Sequence, residues 1–182
     1  MTRWFNLANC FTLIRLLLVP FVIAAILNGE NVRAVELFVL AAVTDVLDGA
    51  AARRLDVTTP AGAYFDPIAD KCLLSGVFLA LAAAGSIPWW FVGLVFGRDL
   101  YILMAVGMMM AFTRVRKFPP SPWGKVSTFA QISVVVLWMA KDMQGFGWVS
   151  GLAGAMLWVS TALTAWSGVH YTWRGIQVLR AH

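Results

Sequence analysis

Six apolar stretches constrain the fold of this chain more than any other feature. A helix needs about 20 apolar residues to cross the roughly 30 Å hydrocarbon layer of a bilayer. Of the 182 residues, 60% are hydrophobic and 13% are charged, which leaves too little polar sequence for a soluble domain. We place the stretches near residues 11–28, 34–51, 64–85, 88–112, 125–141 and 150–172. The sequence therefore predicts an all-α integral membrane protein with six transmembrane helices. It forms a single domain over residues 1–182, with residues 1–10 as an interfacial N-terminal segment.

Basic residues are distributed unevenly between the two sides of these predicted spans. Only Arg33 and Lys141 fall on the side of the first, third and fifth loops, whereas ten bases fall on the side of both termini. The positive-inside rule therefore predicts that both termini are cytoplasmic. We interpret the net charge of +5 as basic loops that face anionic lipids, and expect no nucleic-acid partner. The ten bases are Arg3, Arg15, Arg53, Arg54, Arg114, Arg116, Lys117, Lys125, Arg174 and Arg180.

Four aspartates lie in or beside the second and third spans, at the predicted cytoplasmic side. An ionised carboxylate at the centre of a bilayer costs roughly 3 kcal/mol or more, so intramembrane acids are functional by default. Asp45 and Asp48 are three residues apart, and Asp66 and Asp70 are four apart, so each pair shares one helix face. Two antiparallel helices can present all four carboxylates to one point. Such a cluster suits a hard divalent cation that also binds substrate phosphates.

Small residues and an arginine accompany the carboxylates. Gly49, Ala52 and Gly62 remove side-chain bulk and leave room for a ligand, and Arg53 can bind phosphate oxygens with a planar fork. Carboxylates, a divalent metal and an arginine together are typical of phosphoryl transfer, in which two metals stabilise the attacking and leaving oxygens.

Two other classes of protein also place acids in membrane helices. A cation transporter needs a polar path across the bilayer, but here the acids gather at one end and the outer halves of the spans are apolar. A structural membrane protein can use Asp to cap helices, which does not explain Asp45 and Asp48 inside an apolar run. The pattern favours an enzyme.

The whole spacing pattern resembles the signature of the CDP-alcohol phosphotransferase family, and the likeness extends over essentially the whole chain. The resemblance implies a six-helix membrane fold, usually a homodimer, with a site that faces the cytoplasm. That site binds the CDP group of a lipid donor and two divalent cations, Mg²⁺ or Mn²⁺. The substituted phosphate moves to an alcohol and CMP is released. The pattern here is Asp45-x2-Asp48-Gly49-x2-Ala52-Arg53-x8-Gly62-x3-Asp66-x3-Asp70.

The resemblance also implies a role for each residue of the pattern. Asp70 would be the general base. The metal ligands would be Asp45, Asp48, Asp66 and Asp70. The pocket for CDP and its diphosphate would be formed by Asp48, Gly49, Ala52, Arg53 and Gly62.

Residues that flank this pattern reduce the possible acceptor alcohols to two. The runs 6–15 and 66–71 are similar to two branches that use CDP-diacylglycerol: phosphatidylglycerophosphate synthases, which act on glycerol 3-phosphate, and eukaryotic-type cardiolipin synthases, which act on phosphatidylglycerol. The first branch mostly carries Arg-Glu in span four and Gly-Lys-x-Lys-Thr in span five. This chain has Arg98-Asp99 in span four, and Ser127 two residues after Lys125 in span five, in place of the second lysine.

Arg98-Asp99, the missing lysine and the runs 114–119 and 171–178 are similar to the eukaryotic-type cardiolipin synthases, and they favour phosphatidylglycerol as the acceptor, with glycerol 3-phosphate as the alternative. The charge of the acceptor agrees with this choice, because a phosphomonoester carries nearly two negative charges and binds more tightly beside an extra cation. We expect a bacterial cytoplasmic membrane as the location. The candidate residues for the acceptor phosphate are Lys71, Arg98, Arg114 and Lys125.

Overall fold

The structure, a computed structural model, describes the backbone of residues 7–55, 60–112, 121–141 and 147–180. Side chains are described at positions 13–44, 71–109, 111, 121–141 and 148–177. Every regular element in these ranges is an α-helix, so the predicted all-α class is confirmed. The helices are α1 (Leu7–Leu27), α2 (Asn31–Leu55), α3 (Pro60–Ala83), α4 (Trp89–Phe112), α5 (Pro122–Ala140) and α6 (Gly147–Arg180).

Two of these helices are long and apolar enough to cross a membrane, judged by length and composition within the described residues. They are the segments Trp89–Met109 of α4 and Trp148–Gln177 of α6. Shorter apolar segments are Leu13–Leu27 and Lys71–Ala83. Each predicted stretch coincides with one helix, but six transmembrane spans with cytoplasmic termini stay a prediction.

Glycine and proline set the ends of several helices. Gly29 and Gly85 have φ angles of +74° and +71°, which side chains with a Cβ rarely adopt. At each glycine the chain closes a Schellman motif, shown by the bond from the Glu30 amide to the Ala25 carbonyl at 2.9 Å. α3 and α5 begin at prolines, which lack the N–H that a first helical residue leaves unpaired. These signals stop α1 and α3 and allow α2 to pack back against α1.

The helices form two compact units, each described by itself. In the first unit α1 packs against both α2 and α3. In the second unit α6 packs against both α4 and α5. The expected single domain stays a prediction. Buried apolar side chains of the first unit include Val22, Ile26, Phe38, Val77 and Phe78, and those of the second include Phe91, Val134, Met139, Ala153 and Leu157.

Candidate functional site

The four aspartates all belong to helices of the first unit. Asp45 and Asp48 lie in α2, and Asp66 and Asp70 lie in α3, with helical backbone at each position. Within each helix the two acids therefore have the spacing that places them on one face. Their side chains lie outside the described residues. Among the described side chains, which exclude these four, there is no group of three or more His, Cys, Asp or Glu that could hold a metal.

The residues expected to bind CDP lie on the same helices. Gly49, Ala52 and Arg53 belong to the last two turns of α2, and Gly62 belongs to the first turn of α3. Beyond their helical backbone they lie outside the described residues. Carboxylate oxygens on two helices of one unit fit the preference of Mg²⁺ and Mn²⁺ for hard oxygen ligands.

A buried cation lies on the helix that α2 and α3 share as a neighbour. Arg15 of α1 is 0% exposed and is among the largest fully buried side chains of the chain. It interacts with another residue. Arg15 therefore does not face lipid headgroups, as the positive-inside argument assumed for the basic residues. The sequence does carry a signal for Arg15, because it is a charged residue inside an apolar stretch and such residues are candidates for a functional role.

Arg15 also lies at the level of the carboxylates along the helices. It stands 14 residues before the turn at Gly29, and Asp45 stands 16 residues after that turn. Because α1 and α2 are joined by a tight turn and pack together, these positions lie at similar depth. The first unit thus places a buried positive charge on α1 at a depth similar to that of Asp45.

The second unit is organised around Arg98 of α4, whose side chain is 12% exposed. Nη1 donates a hydrogen bond to Oδ1 of Asp99 at 2.7 Å. Nη2 donates to Oγ of Ser167, a fully buried residue of α6. The guanidinium carbon lies 5.8 Å from the centre of the Tyr171 ring. Partners from α4 and α6 therefore fix the orientation of this cation.

The first turn of α5 lies beside the same guanidinium. Ser121 caps α5, because its Oγ accepts a hydrogen bond from the Gly124 amide at 3.1 Å. The Ser121 amide donates to the hydroxyl of Tyr171 at 3.0 Å, which ties this turn to α6. A methyl group at position 124 would lie 3.3 Å from Nη2 of Arg98. Lys125, which follows Gly124, is exposed.

Two of the four candidate residues for the acceptor phosphate belong to the second unit. The Arg98 guanidinium lies beside Gly124, the residue that precedes Lys125 in the chain. Lys71 belongs to α3 in the first unit, where it is exposed and has a bonding partner. Arg114 lies outside the described residues.

Ser127, which stands where relatives of one branch carry a second lysine, is fully buried between α5 and α6. Its hydroxyl lies 3.1 Å from that of Thr164, and Nε2 of Gln131 donates to Thr164 at 3.2 Å. Sequence reasoning missed this polar cluster and Ser167. The signal was the helical spacing of Ser160, Thr164 and Ser167, which places three hydroxyl groups on one face of α6.

Comparisons with known proteins agree on one family. The sequence model described as CDP-alcohol phosphatidyltransferase matches residues 5–166. A "Probable phosphatidylglycerophosphate synthase" of Mycobacterium tuberculosis is 33% identical over 178 residues, which cover 94% of this chain and 82% of the relative. A "CDP-diacylglycerol--glycerol-3-phosphate 3-phosphatidyltransferase" of Sodalis glossinidius is 34% identical over 186 residues, covering 97% and 98%. A protein of the same name from Pseudomonas fluorescens is 33% identical over 172 residues, covering 91% and 88%.

Proposed function

The chain belongs to the CDP-alcohol phosphatidyltransferase family, and from this we propose that it transfers the phosphatidyl group of CDP-diacylglycerol to glycerol 3-phosphate. Family membership makes the protein a membrane enzyme of phospholipid biosynthesis that transfers a substituted phosphate group. The observation that carries the choice of acceptor is the set of relatives, matched over more than nine-tenths of this chain, that are named for glycerol 3-phosphate.

We assign the metal site to the four aspartates of the first unit. Asp45, Asp48, Asp66 and Asp70 would hold two divalent cations, Mg²⁺ or Mn²⁺. When bound, such ions neutralise phosphate charge and stabilise both the entering and the leaving oxygen. The helical spacing of both acid pairs supports this assignment.

Residues of the same spacing pattern on α2 and α3 bind the donor and accept a proton. Arg53 binds the diphosphate of the CDP group, and Gly49, Ala52 and Gly62 leave room for the nucleotide. The acceptor hydroxyl oxygen forms a bond to the phosphatidyl phosphorus, while the bond from this phosphorus to the oxygen of CMP breaks. Asp70 accepts the proton of the acceptor hydroxyl, and CMP leaves with the oxygen of the broken bond as part of its phosphate monoester.

The acceptor phosphate is assigned to the basic side chains. The Arg98 guanidinium lies beside Gly124 in the first turn of α5, which also carries Lys125, and we add Lys71 and Arg114 to this set. A phosphomonoester carries nearly two negative charges, so a fixed arginine with a neighbouring lysine matches it.

Phosphatidylglycerol is the second candidate acceptor, and cardiolipin would be its product. The observation in its favour is the bond from Arg98 to Asp99, because a carboxylate beside the arginine reduces the positive charge offered to an acceptor. Ser127 in place of a second lysine is weaker support for phosphatidylglycerol, because position 127 is buried where α5 packs on α6. Our sequence-based preference for phosphatidylglycerol stays a prediction, and the names of the relatives favour glycerol 3-phosphate.

The membrane arrangement follows the family and the charge distribution. We propose six spans with both termini and the site facing the cytoplasm, in a homodimer in a bacterial cytoplasmic membrane. The bacterial relatives support the location. Membership of a transferase family favours an enzyme over the cation transporter that intramembrane acids also allow.

Release of CMP by the purified protein tests the acceptor and the metal site together. Micelles that contain CDP-diacylglycerol and Mg²⁺ or Mn²⁺ receive either glycerol 3-phosphate or phosphatidylglycerol. We expect release of CMP with glycerol 3-phosphate and its loss on chelation. Release only with phosphatidylglycerol would replace the acceptor, and no metal-dependent release with either would overturn the proposal.

Asp48→Asn tests the metal site in the same assay. Loss of a metal ligand should lower turnover at least about 100-fold, since even residues that only support ligands are worth 10–100-fold. Glu36→Gln is the matched control, because Glu36 is an exposed acid of the same helix. Equal activity of Asp48→Asn and Glu36→Gln would contradict the assignment.

A further inference from the structure

We propose that Ser167 is a positioning residue that holds Arg98 in place for the charged group of the acceptor. The inference rests on the proposed function, because it takes Arg98 as a residue that binds the acceptor phosphate. It goes further because it assigns the orientation of the Arg98 side chain to the hydroxyl group of Ser167, which is 69 residues away in sequence.

Ser167 is placed to hold the guanidinium without neutralising it. The residue is 0% exposed on α6, and its Oγ accepts a hydrogen bond from Nη2 of Arg98. A hydroxyl is a neutral acceptor, so it orients the arginine and leaves its charge for a ligand. Asp99 binds the other terminal nitrogen, Nη1, at 2.7 Å. With both terminal nitrogens bound to different helices, the planar fork has one orientation before any substrate arrives.

The surroundings of Arg98 restrict it further. The guanidinium carbon lies 5.8 Å from the centre of the Tyr171 ring. Gly124 of α5 leaves space for the guanidinium, since a methyl group at that position would lie 3.3 Å from Nη2. Among the described residues, Nε of Arg98 is buried and has no hydrogen-bond partner. This N–H is a donor that remains for a further hydrogen bond.

A fixed arginine binds an anion more tightly than a mobile one. The side chain does not lose conformational freedom when the ligand binds, because that freedom is already lost in the free enzyme. Removal of the Ser167 hydroxyl therefore weakens binding of the acceptor and leaves the metal site and the donor pocket unchanged. We expect this loss to be larger for a phosphomonoester acceptor such as glycerol 3-phosphate, which carries nearly two negative charges, than for a phosphodiester.

The test compares Ser167→Ala with Ser160→Ala in the full-length protein. Ser160 is also a fully buried serine of α6, but its Oγ has no hydrogen-bond partner among the residues that the structure describes. Both variants delete one buried oxygen from the same helix. We expect Ser167→Ala to raise KM for glycerol 3-phosphate about tenfold, the effect of losing one hydrogen bond to a charged group, with KM for CDP-diacylglycerol unchanged. Ser160→Ala should leave both KM values unchanged, and Ser167→Thr, which keeps the hydroxyl, should restore acceptor affinity.

Arg98→Gln separates failure of this inference from failure of the proposed function. If Arg98→Gln leaves KM for glycerol 3-phosphate unchanged, Arg98 does not bind the acceptor and the assignment under the proposed function is wrong. If Arg98→Gln raises KM but Ser167→Ala does not, only the positioning role is wrong. We expect Ser167→Ala to have no further effect in the Arg98→Gln background, because the two residues act through one interaction. Equal loss of affinity for both substrates in Ser167→Ala would indicate a purely structural role and overturn the inference.

Discussion

The contact of α1 with α3 in the first unit differs in kind from the contact of α5 with α6 in the second. Gly76 of α3 lies so close to α1 that a methyl group there would approach Cδ1 of Ile23 to 2.9 Å and Cγ1 of Val19 to 3.4 Å. At the second contact, Gln131 of α5 donates a hydrogen bond to Thr164 of α6. One contact is close apolar packing, and the other is bonded through polar side chains.

This difference shows two ways in which helices of a membrane protein associate. Lipid tails are as apolar as leucine, so burial from water contributes little to helix association in a bilayer. Close approach at a small residue supplies van der Waals contact, and polar side chains supply interhelical hydrogen bonds. The apolar contact should therefore respond to added volume, and the polar contact to loss of a single oxygen. The first unit also contains the fully buried charge of Arg15.

Replacement of Arg15 gives the largest expected effect. Arg15→Met keeps most of the side-chain volume but removes a fully buried charge together with the interaction that Arg15 makes. We expect a loss of about 3–5 kcal/mol in the free energy of unfolding, measured by denaturant titration in mixed micelles. Arg33→Met is the control, because Arg33 is exposed and pairs with Glu30 at the surface, where a pair contributes about 0.5 kcal/mol. Equal stability of the two variants would show that the first unit depends on apolar packing alone.

Gly76→Ala tests the apolar contact directly. The added methyl group would overlap Ile23, and overpacking of a filled contact costs about 1–3 kcal/mol. The clash is with the flexible end of the Ile23 side chain, so we expect the lower end of this range. Gly93→Ala is the matched control, because position 93 of α4 has open space around a Cβ. Both changes gain about 1 kcal/mol in helix propensity, and the difference in free energy of unfolding isolates the clash. A variant at position 76 as stable as the one at 93 would contradict close packing of α1 on α3.

The same two regions differ in how far the sequence predicts them. The helices and the spacing of the aspartates were predictable, because hydrophobic stretches and residues three or four apart are local signals. Pro60 and Pro122 mark helix starts in the same local way. The surroundings of Arg98 were not predictable, because its partner Ser167 and the Tyr171–Ser121 bond join residues 69 and 50 positions apart. The burial of Ser127 depends on which face of α5 meets α6, and near-uniform apolar sequence does not specify that face.

Removal of one oxygen from the polar contact gives the smallest expected effect. Thr164→Val keeps the shape of the side chain but deletes the atom that binds Ser127 at 3.1 Å and Gln131 at 3.2 Å. Gln131 keeps a weaker bond to Ser127 at 3.4 Å, so its amide is not left without a partner. We expect a loss of about 0.6–1.7 kcal/mol in the free energy of unfolding in mixed micelles, the range of interhelical hydrogen bonds in membranes.

The control for this change is Thr161→Val, since the Thr161 hydroxyl donates a hydrogen bond to the Leu157 carbonyl within α6 itself. If the hydroxyl cluster holds α5 against α6, Thr164→Val is the less stable of the two variants, and Gly76→Ala does not alter that difference because it lies in the other unit. Equal stability at positions 161 and 164 would mean that α5 and α6 associate through the apolar residues around the cluster, as α1 and α3 do. The two contacts would then be of one kind, with apolar packing as the source of both.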